Sequence, residues 1–407
     1  MPEADLPLKG VKCVCVIMFQ QLPVAFTMLA DLGAEVIKIE RPGTGERGRK
    51  IGQVPENGSV KLSSYFETNN RGFKCLTLDI QKKKGIEILY KLTKDVDIFA
   101  ENFRPGVAER HHFAYEDLRK INHGIIYLSS SAYGPDGPNA LLPGVDAIAQ
   151  AAGGLASLFG EKGSPMMTGQ HAVADETAAL VASFALMVGL YHKKLTGEGQ
   201  KIETSLLGSV VRLMGHSMTR VLFTNEDMPR GRARVWGGAE PGVAGSFNDK
   251  NGRWFSVQMV GEEAWQKGVA AVGLSKLLAD LGCTTLSEVT ESEEKTQLFL
   301  HAMDKLFATE TREYWVKKLR ELDIICAPIN TLLEASKDPD VIANKYIIEV
   351  DHPKAGKIKE VGFPWKFSSF TPKAGIAPEL GEHNHEILDR LGYSAVEIAQ
   401  LKKEGVI

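Results

Sequence analysis

The run Val11–Met18 is almost wholly apolar and rich in valine and isoleucine, and it ends at Gln20-Gln21-Leu22-Pro23. Such a run reads as a parallel strand buried on both faces and entering a turn. Val24–Leu32 follows as a helix, Gly33 as its stop, and Ala34–Glu40 as a second strand, which completes a βαβ unit. The rhythm returns in strand Cys75–Ile80, helix Lys84–Lys94, strand Asp97–Ala100, helix Ala114–Ile121, strand Ile125–Ser129 and strand Gln200–Ser205. The first ~200 residues are therefore expected to form a doubly wound α/β layer, whose ligands lie beyond the carboxyl ends of the strands.

One acidic pair stands out against this background. His171-Ala172-Val173-Ala174-Asp175-Glu176-Thr177 opens a helix whose next stretch, Thr177–Leu190, carries no charge, and which runs on through Lys193 and Lys194 to the stop at Thr196-Gly197. Two readings of Asp175 are open: it caps the helix by accepting from backbone N–H groups, or it is a reacting carboxylate. Asp146, after Pro143-Gly144-Val145, reads as a cap for the helix that ends at Gly153-Gly154.

Cations gather at expected strand ends. Glu40-Arg41-Pro42-Gly43-Thr44-Gly45-Glu46-Arg47-Gly48-Arg49 leaves the second strand, and Glu101-Asn102-Phe103-Arg104-Pro105-Gly106, with Arg110 beyond, leaves a later one. Arginine suits phosphate because its planar fork makes two parallel charge-assisted bonds. There is no GxGxxG after the first strand and no GxxxxGK[ST], which leaves a dinucleotide dehydrogenase or a P-loop NTPase without support. The pair His383-x-His385 has no third ligand in view and reads as capping and packing, so no metal is expected.

With 51 acidic and 48 basic residues the formal net charge is −3, which provides no footprint for nucleic acid or an anionic membrane. The acidic start Met1-Pro2-Glu3-Ala4-Asp5 does not resemble a secretory signal, and the uncharged run is shorter than the ~20 residues that span a bilayer, so a cytoplasmic protein is expected. Five scattered cysteines suggest neither a disulfide framework nor a metal knuckle; Cys13 and Cys15, at alternate strand positions, are expected as buried packing. At 407 residues more than one domain is required. The small-residue loop Trp236-Gly237-Gly238-Ala239-Glu240-Pro241-Gly242 follows Arg230, Arg232 and Arg234, and strands and amphipathic helices alternate from Val243 to about Pro328 as a smaller α+β domain. The expected division is 1–224, 225–330 and a return through 331–407.

Taken together, Gly33-Ala34-Glu35-Val36-Ile37-Lys38-Ile39-Glu40-Arg41-Pro42-Gly43, Glu101-Asn102-Phe103-Arg104-Pro105-Gly106, Thr196-Gly197-Glu198-Gly199-Gln200 and Leu380-Gly381-Glu382-His383 resemble the class III CoA-transferases, the family of formyl-CoA transferase and carnitine CoA-transferase that also holds the α-methylacyl-CoA racemases. The resemblance implies a large Rossmann-like α/β domain built from both chain ends, a small domain between them, and two subunits interlocked as rings, either as a homodimer or with a related partner chain. It places the catalytic aspartate on Asp175. It places CoA contacts on Gln20, Arg41, Leu78, Asp79, Asn102, Phe103, Arg104 and Arg110, with Asp146 grouped beside them. The loop Trp236–Gly242 is similar to the glycine loop that covers the aspartate in formyl-CoA transferase, with Trp236 and Ala239 in place of two glycines. Arg234, Trp236, Gly237 and Gly238 are then expected to meet the acceptor acid, and the Gly237–Gly238 N–H groups to face an oxyanion. No tightly bound cofactor is implied; an acyl-CoA, succinyl-CoA for example, and a carboxylic acid such as a substituted or aryl-bearing succinate are the substrates.

Two rival readings differ in testable ways. A racemase uses a histidine in a Gly-His-Asp segment, where this chain has Gly144-Val145-Asp146, and valine cannot move a proton. A silent CoA-binding subunit has no need of a carboxylate at position 175.

Overall fold

In the computed structural model, which describes residues 6–56, 60–160, 163–169, 171–230 and 234–407, two compact units form. One comprises Met1–Phe159, Pro165–Met228 and Lys345–Ile407, the other Gly160–Ser164 and Pro229–Asn344. The first is organised around six strands: β1 (Lys12–Val16), β2 (Glu35–Glu40), β3 (Lys74–Thr77), β4 (Ile98–Glu101), β5 (Ile126–Ser131) and β6 (Lys201–Ser205). They lie side by side as β3-β2-β1-β4-β5-β6, every pair parallel. This is the doubly wound order, and it reverses between β1 and β4, where Val16 pairs with Glu101.

Alternation along β1 explains its unbroken apolar run. Cys13 and Cys15 join one core with Phe26, Leu29, Ala182 and Leu186, while Val14 and Val16 join another with Leu89, Phe99, Leu388 and Leu401. The second core draws on the last helices of the chain, so both chain ends build this unit. Of these, Ala395–Lys403 starts at a capping box between Ser394 and Glu397. The first helix, Gln21–Asp31, begins before Pro23, because a proline in the first turn gives up only an N–H that has no helical partner.

The helix Val173–Thr196 runs 24 residues, longer than its uncharged stretch, and by length and composition alone could cross a membrane. Its buried face is mostly of small residues, with Ala179, Ala182 and Gly189 close on the sheet and Ala174 and Ala178 packed with Leu206 and Val210; a Cβ at Gly189 would stand 3.1 Å from both Ile126 and Ile202. The opposite face carries Leu180, Phe184, Val188, Tyr191 and Leu195, each at least half exposed.

Arg71 ties distant parts of this unit together. Its guanidinium donates to both carboxylate oxygens of Asp31 (3.1 and 2.7 Å), to the Val361 carbonyl and to Glu360. Glu360 and Val361 belong to a hairpin, Ile347–His352 with Gly356–Val361, that has no clear apolar face and gave no strand signal.

The second unit carries a four-stranded antiparallel sheet, β7 (Val235–Trp236), β8 (Gly242–Asn248), β9 (Trp254–Val260) and β10 (Ile325–Pro328), in the order β10-β9-β8-β7. Its core is aromatic: Phe307 packs edge-on against Phe255 and Trp315, with ring centres 5.2 Å apart in both cases.

Candidate active site

The mouth of the Val173–Thr196 helix is capped from a distance. Ala172 at its N-cap offers no side-chain acceptor. Instead Asp146 Oδ2 accepts from the backbone N–H groups of Ala174 (2.7 Å) and Asp175 (3.0 Å). Asp146 is the first residue of the helix Asp146–Ala152 and does not cap it, contrary to the local reading of the sequence. Its second oxygen accepts from the buried Gln150, whose carbonyl oxygen accepts from Gly169 N–H (2.8 Å), so the chain entering the long helix is held as well. A cap of this kind is worth roughly 0.5–2 kcal/mol.

With the orphan N–H groups taken by Asp146, Asp175 has no capping role. It is partly buried, and among the described residues no group donates to its carboxylate. Burial, reinforced by the negative charges of Asp146 and Glu176, pushes its pKa from 3.8 to about 7. An uncompensated carboxylate with a pKa near the working pH is suited to nucleophilic attack on an acyl group.

Glu176, the other half of the acidic pair, stands beside it, and two residues that sequence reasoning did not single out, Tyr65 and Glu46, join the network. Glu176 Oε1 accepts from Gln20 Nε2 at 2.6 Å, which brings the residue after the β1 turn to the mouth of the helix. Tyr65 is coupled electrostatically to Asp175, Glu46 and Glu176; burial and these charges raise its pKa, so it stays an O–H donor. Glu46, in the arginine-rich loop, is buried and accepts from Phe19 N–H at 2.8 Å.

Arg41 leaves the end of β2 and Arg104 the end of β4, the two neighbours of β1, and both are exposed, as are Arg47 and Arg110. Among the described residues none of these four enters an ion pair, whereas Arg49 in the same loop is committed to Glu40. Asn102 is occupied: its side-chain amide clamps Met18, accepting from the N–H and donating to the carbonyl, both at 2.9 Å. Phe103 packs on Phe113. Leu78 is buried with its N–H on the Glu40 carbonyl, and the Asp79 N–H donates to the Val406 carbonyl. A cavity of about 330 Å³ opens at the ends of β4, β5 and β6, lined by Arg104, Tyr115, Tyr127 and Lys201; Asp175 is not part of it.

In the second unit the loop between β7 and β8 is pinned. The Trp236 indole donates to the Glu240 carbonyl at 2.7 Å and lies against Gly242, where a Cβ would come within 2.4 Å of the ring. Gly238, at φ +97°, donates its N–H to Ser287 Oγ (2.9 Å), which takes the donor expected for an oxyanion. A Cβ at Gly237 would meet Ser287 Cα at 2.6 Å. Arg234 forms a forked pair with Asp304 and stacks 4.5 Å from the Phe247 ring. Arg230 donates to the Ser164 carbonyl, and Arg232 lies outside the described residues.

Comparison with known proteins fits the doubly wound sheet. The sequence pattern of CoA-transferase family III matches residues 8–384, and the chain belongs to this family and is a class III CoA-transferase. Over 424 aligned residues it is 31% identical to the formyl-CoA:oxalate CoA-transferases of Shigella sonnei and of Escherichia coli O139:H28, covering 98% of this chain and 99% of each relative. A CAIB/BAIF family protein from Brucella suis has a similar fold, with a TM-score of 0.84 and 25% identity over 95% of this chain and 100% of that one. Rv3272 from Mycobacterium tuberculosis, in its orthorhombic form, is similar at a TM-score of 0.78 and 25% identity, over 94% and 99% of the two chains.

Proposed function

We propose that the protein moves CoA from a short acyl-CoA to a small carboxylic acid with Asp175 as the nucleophile. The observation that carries this reading is a carboxylate at a helix mouth, held near neutral pKa and left without a donor among the described residues while Asp146 takes the cap. Asp175 Oδ attacks the thioester carbonyl carbon, the C–S bond breaks, and CoA leaves as thiolate from an aspartyl mixed anhydride. The thiolate attacks the aspartyl carbonyl carbon, expels the donor acid and leaves an aspartyl-CoA thioester. The acceptor carboxylate attacks that carbon, thiolate leaves again, and its attack on the acceptor acyl carbon gives the new thioester and frees Asp175.

The relatives are named for formyl-CoA and oxalate, which makes this pair the first to test, with succinyl-CoA as second donor and substituted succinates as further acceptors. Mass analysis of CoA esters after incubation with each pair identifies the substrates. No exchange with any acid rejects the reading.

Arg41 and Arg104, cations in no ion pair among the described residues and at the ends of the strands that flank β1, are proposed to hold the CoA phosphates, with Arg110, Gln20, Phe103 and the Leu78–Asp79 turn around them. Arg41→Ala and Arg104→Ala are each expected to weaken CoA binding by about 1.5–3 kcal/mol; unchanged calorimetric affinity in both removes the cradle. The apolar stripe Leu180, Phe184, Val188, Tyr191 and Leu195 supports coverage by a second copy of the chain in an interlocked dimer.

The raised pKa fixes a pH profile. Only ionised Asp175 attacks, so kcat/KM of the free enzyme is expected to climb with pH through a limb centred near 7. Asp146→Asn removes the neighbouring negative charge and keeps a cap, and should move this limb to lower pH. An unmoved limb separates the titration from Asp175.

A further inference from the structure

We propose that the buried Lys38–Glu46 pair is a positioning couple that holds Phe19 in a left-handed backbone conformation and thereby sets Gln20 against the catalytic helix; this rests on Asp175 as nucleophile.

Phe19 has φ +65°, an unfavourable conformation for a bulky residue that persists only where surrounding contacts impose it. It sits between the end of β1 and the helix Gln21–Asp31, at the switch point of the sheet. Two contacts impose its shape: Asn102 grips Met18 on both sides, and Glu46 Oε2 accepts the Phe19 N–H at 2.8 Å. Left-handed geometry at residue 19 turns the chain so that the next side chain, Gln20, reaches Glu176 at 2.6 Å, one residue from Asp175.

Glu46 is itself fixed on every side. Its other oxygen accepts from Lys38 Nζ at 2.6 Å, its own N–H donates to Glu40 Oε2 at 3.0 Å, and its carboxylate lies where a Cβ on Gly48 would stand 3.1 Å away. Lys38 is wholly buried in the middle of β2 and gives a second bond, also 2.6 Å, to Asn70. Taking an ammonium and a carboxylate out of water is costly, and a buried pair of this kind is weak evidence for stability but fits a role in specifying one geometry. Here the geometry specified is that of the turn that carries Gln20.

The test compares two uncharged double variants that differ only in the acceptor: Lys38→Met/Glu46→Gln, whose side-chain carbonyl still accepts from Phe19, and Lys38→Met/Glu46→Leu, which cannot. Neither leaves a buried charge alone, so both are expected to fold. With formyl-CoA and oxalate, the Glu46→Leu variant should lose about tenfold or more in kcat relative to the Glu46→Gln variant. Adding Phe19→Gly, which adopts positive φ without strain, should restore most of that loss. Crystal structures should show residue 19 out of the left-handed region and the Gln20–Glu176 contact open in the Glu46→Leu variant alone. Equal kcat in the two double variants, or residue 19 still near +65° in the Glu46→Leu variant, overturns the proposal. If the wild-type chain transfers no CoA, the reading of Asp175 fails, while the crystal comparison still decides whether Glu46 sets the turn.

Discussion

Asp175→Asn is expected to lose roughly 10³-fold or more of kcat, because the neighbouring carboxylates are committed, Asp146 to the backbone N–H groups of the helix and Glu176 to Gln20. The variant should not be a folding mutant. Folded Asp175 keeps its proton to about pH 7, whereas an unfolded aspartate releases it near 3.8. The folded state therefore binds more protons between those values, and the stability from this group is full below about pH 4 and lost as pH rises through 7. Asparagine has no charge to bury, and Asp146 still accepts from the backbone N–H groups of residues 174 and 175. At pH 8 the variant is expected to unfold at the same temperature as wild type or higher while being inactive. Loss of activity together with a lower melting temperature at pH 8 would assign position 175 to structure instead.

The second large effect is on stability. Arg71→Met should cost about 3–5 kcal/mol at pH 8, since it leaves the carboxylates of Asp31 and Glu360 buried without their shared cation. Burial already pushes Asp31 up to about 6 against the pull of Arg71, and raises Glu360 as well. Without the guanidinium both are expected to take up protons more readily, so their stabilising contribution is present at low pH and lost as pH rises through their folded values. The deficit of the variant should thus shrink at pH 5. Unfolding midpoints in urea at pH 5 and pH 8 measure it, and an equal, small deficit at both would show that the hairpin Ile347–Val361 is not anchored through Arg71.

The parallel sheet was legible because its strands are buried on both faces, which leaves runs such as Val11–Met18 with no polar alternation to confuse them. Asp175 was noticed for its place before a charge-free helix, but its role was not readable locally. Capping and reaction look alike until one knows that Asp146, 28 and 29 positions before the N–H groups it accepts from, has taken the cap. Asp146 was assigned to its own helix by the same local logic. Glu46 was hidden in a loop whose arginines invited a solvated, phosphate-facing reading. The usable signal lay elsewhere, in Lys38 between Ile37 and Ile39: a lysine in a strand covered on both faces demands a buried partner. Tyr65 gave no signal, since nothing in Ser64–Asn70 distinguishes it from a packing aromatic. The Gly237–Gly238 N–H groups were expected to face an oxyanion, yet Ser287, a residue far along the chain, accepts the Gly238 N–H.

The most direct test is to trap the covalent intermediate. Enzyme incubated with formyl-CoA, then treated with hydroxylamine and digested, should show an aspartyl hydroxamate on the peptide holding Asp175, with activity lost in proportion to labelling and no label without the acyl-CoA. Turnover of formyl-CoA with oxalate while that peptide remains unmodified, or labelling confined to another carboxylate, would contradict Asp175 as the nucleophile.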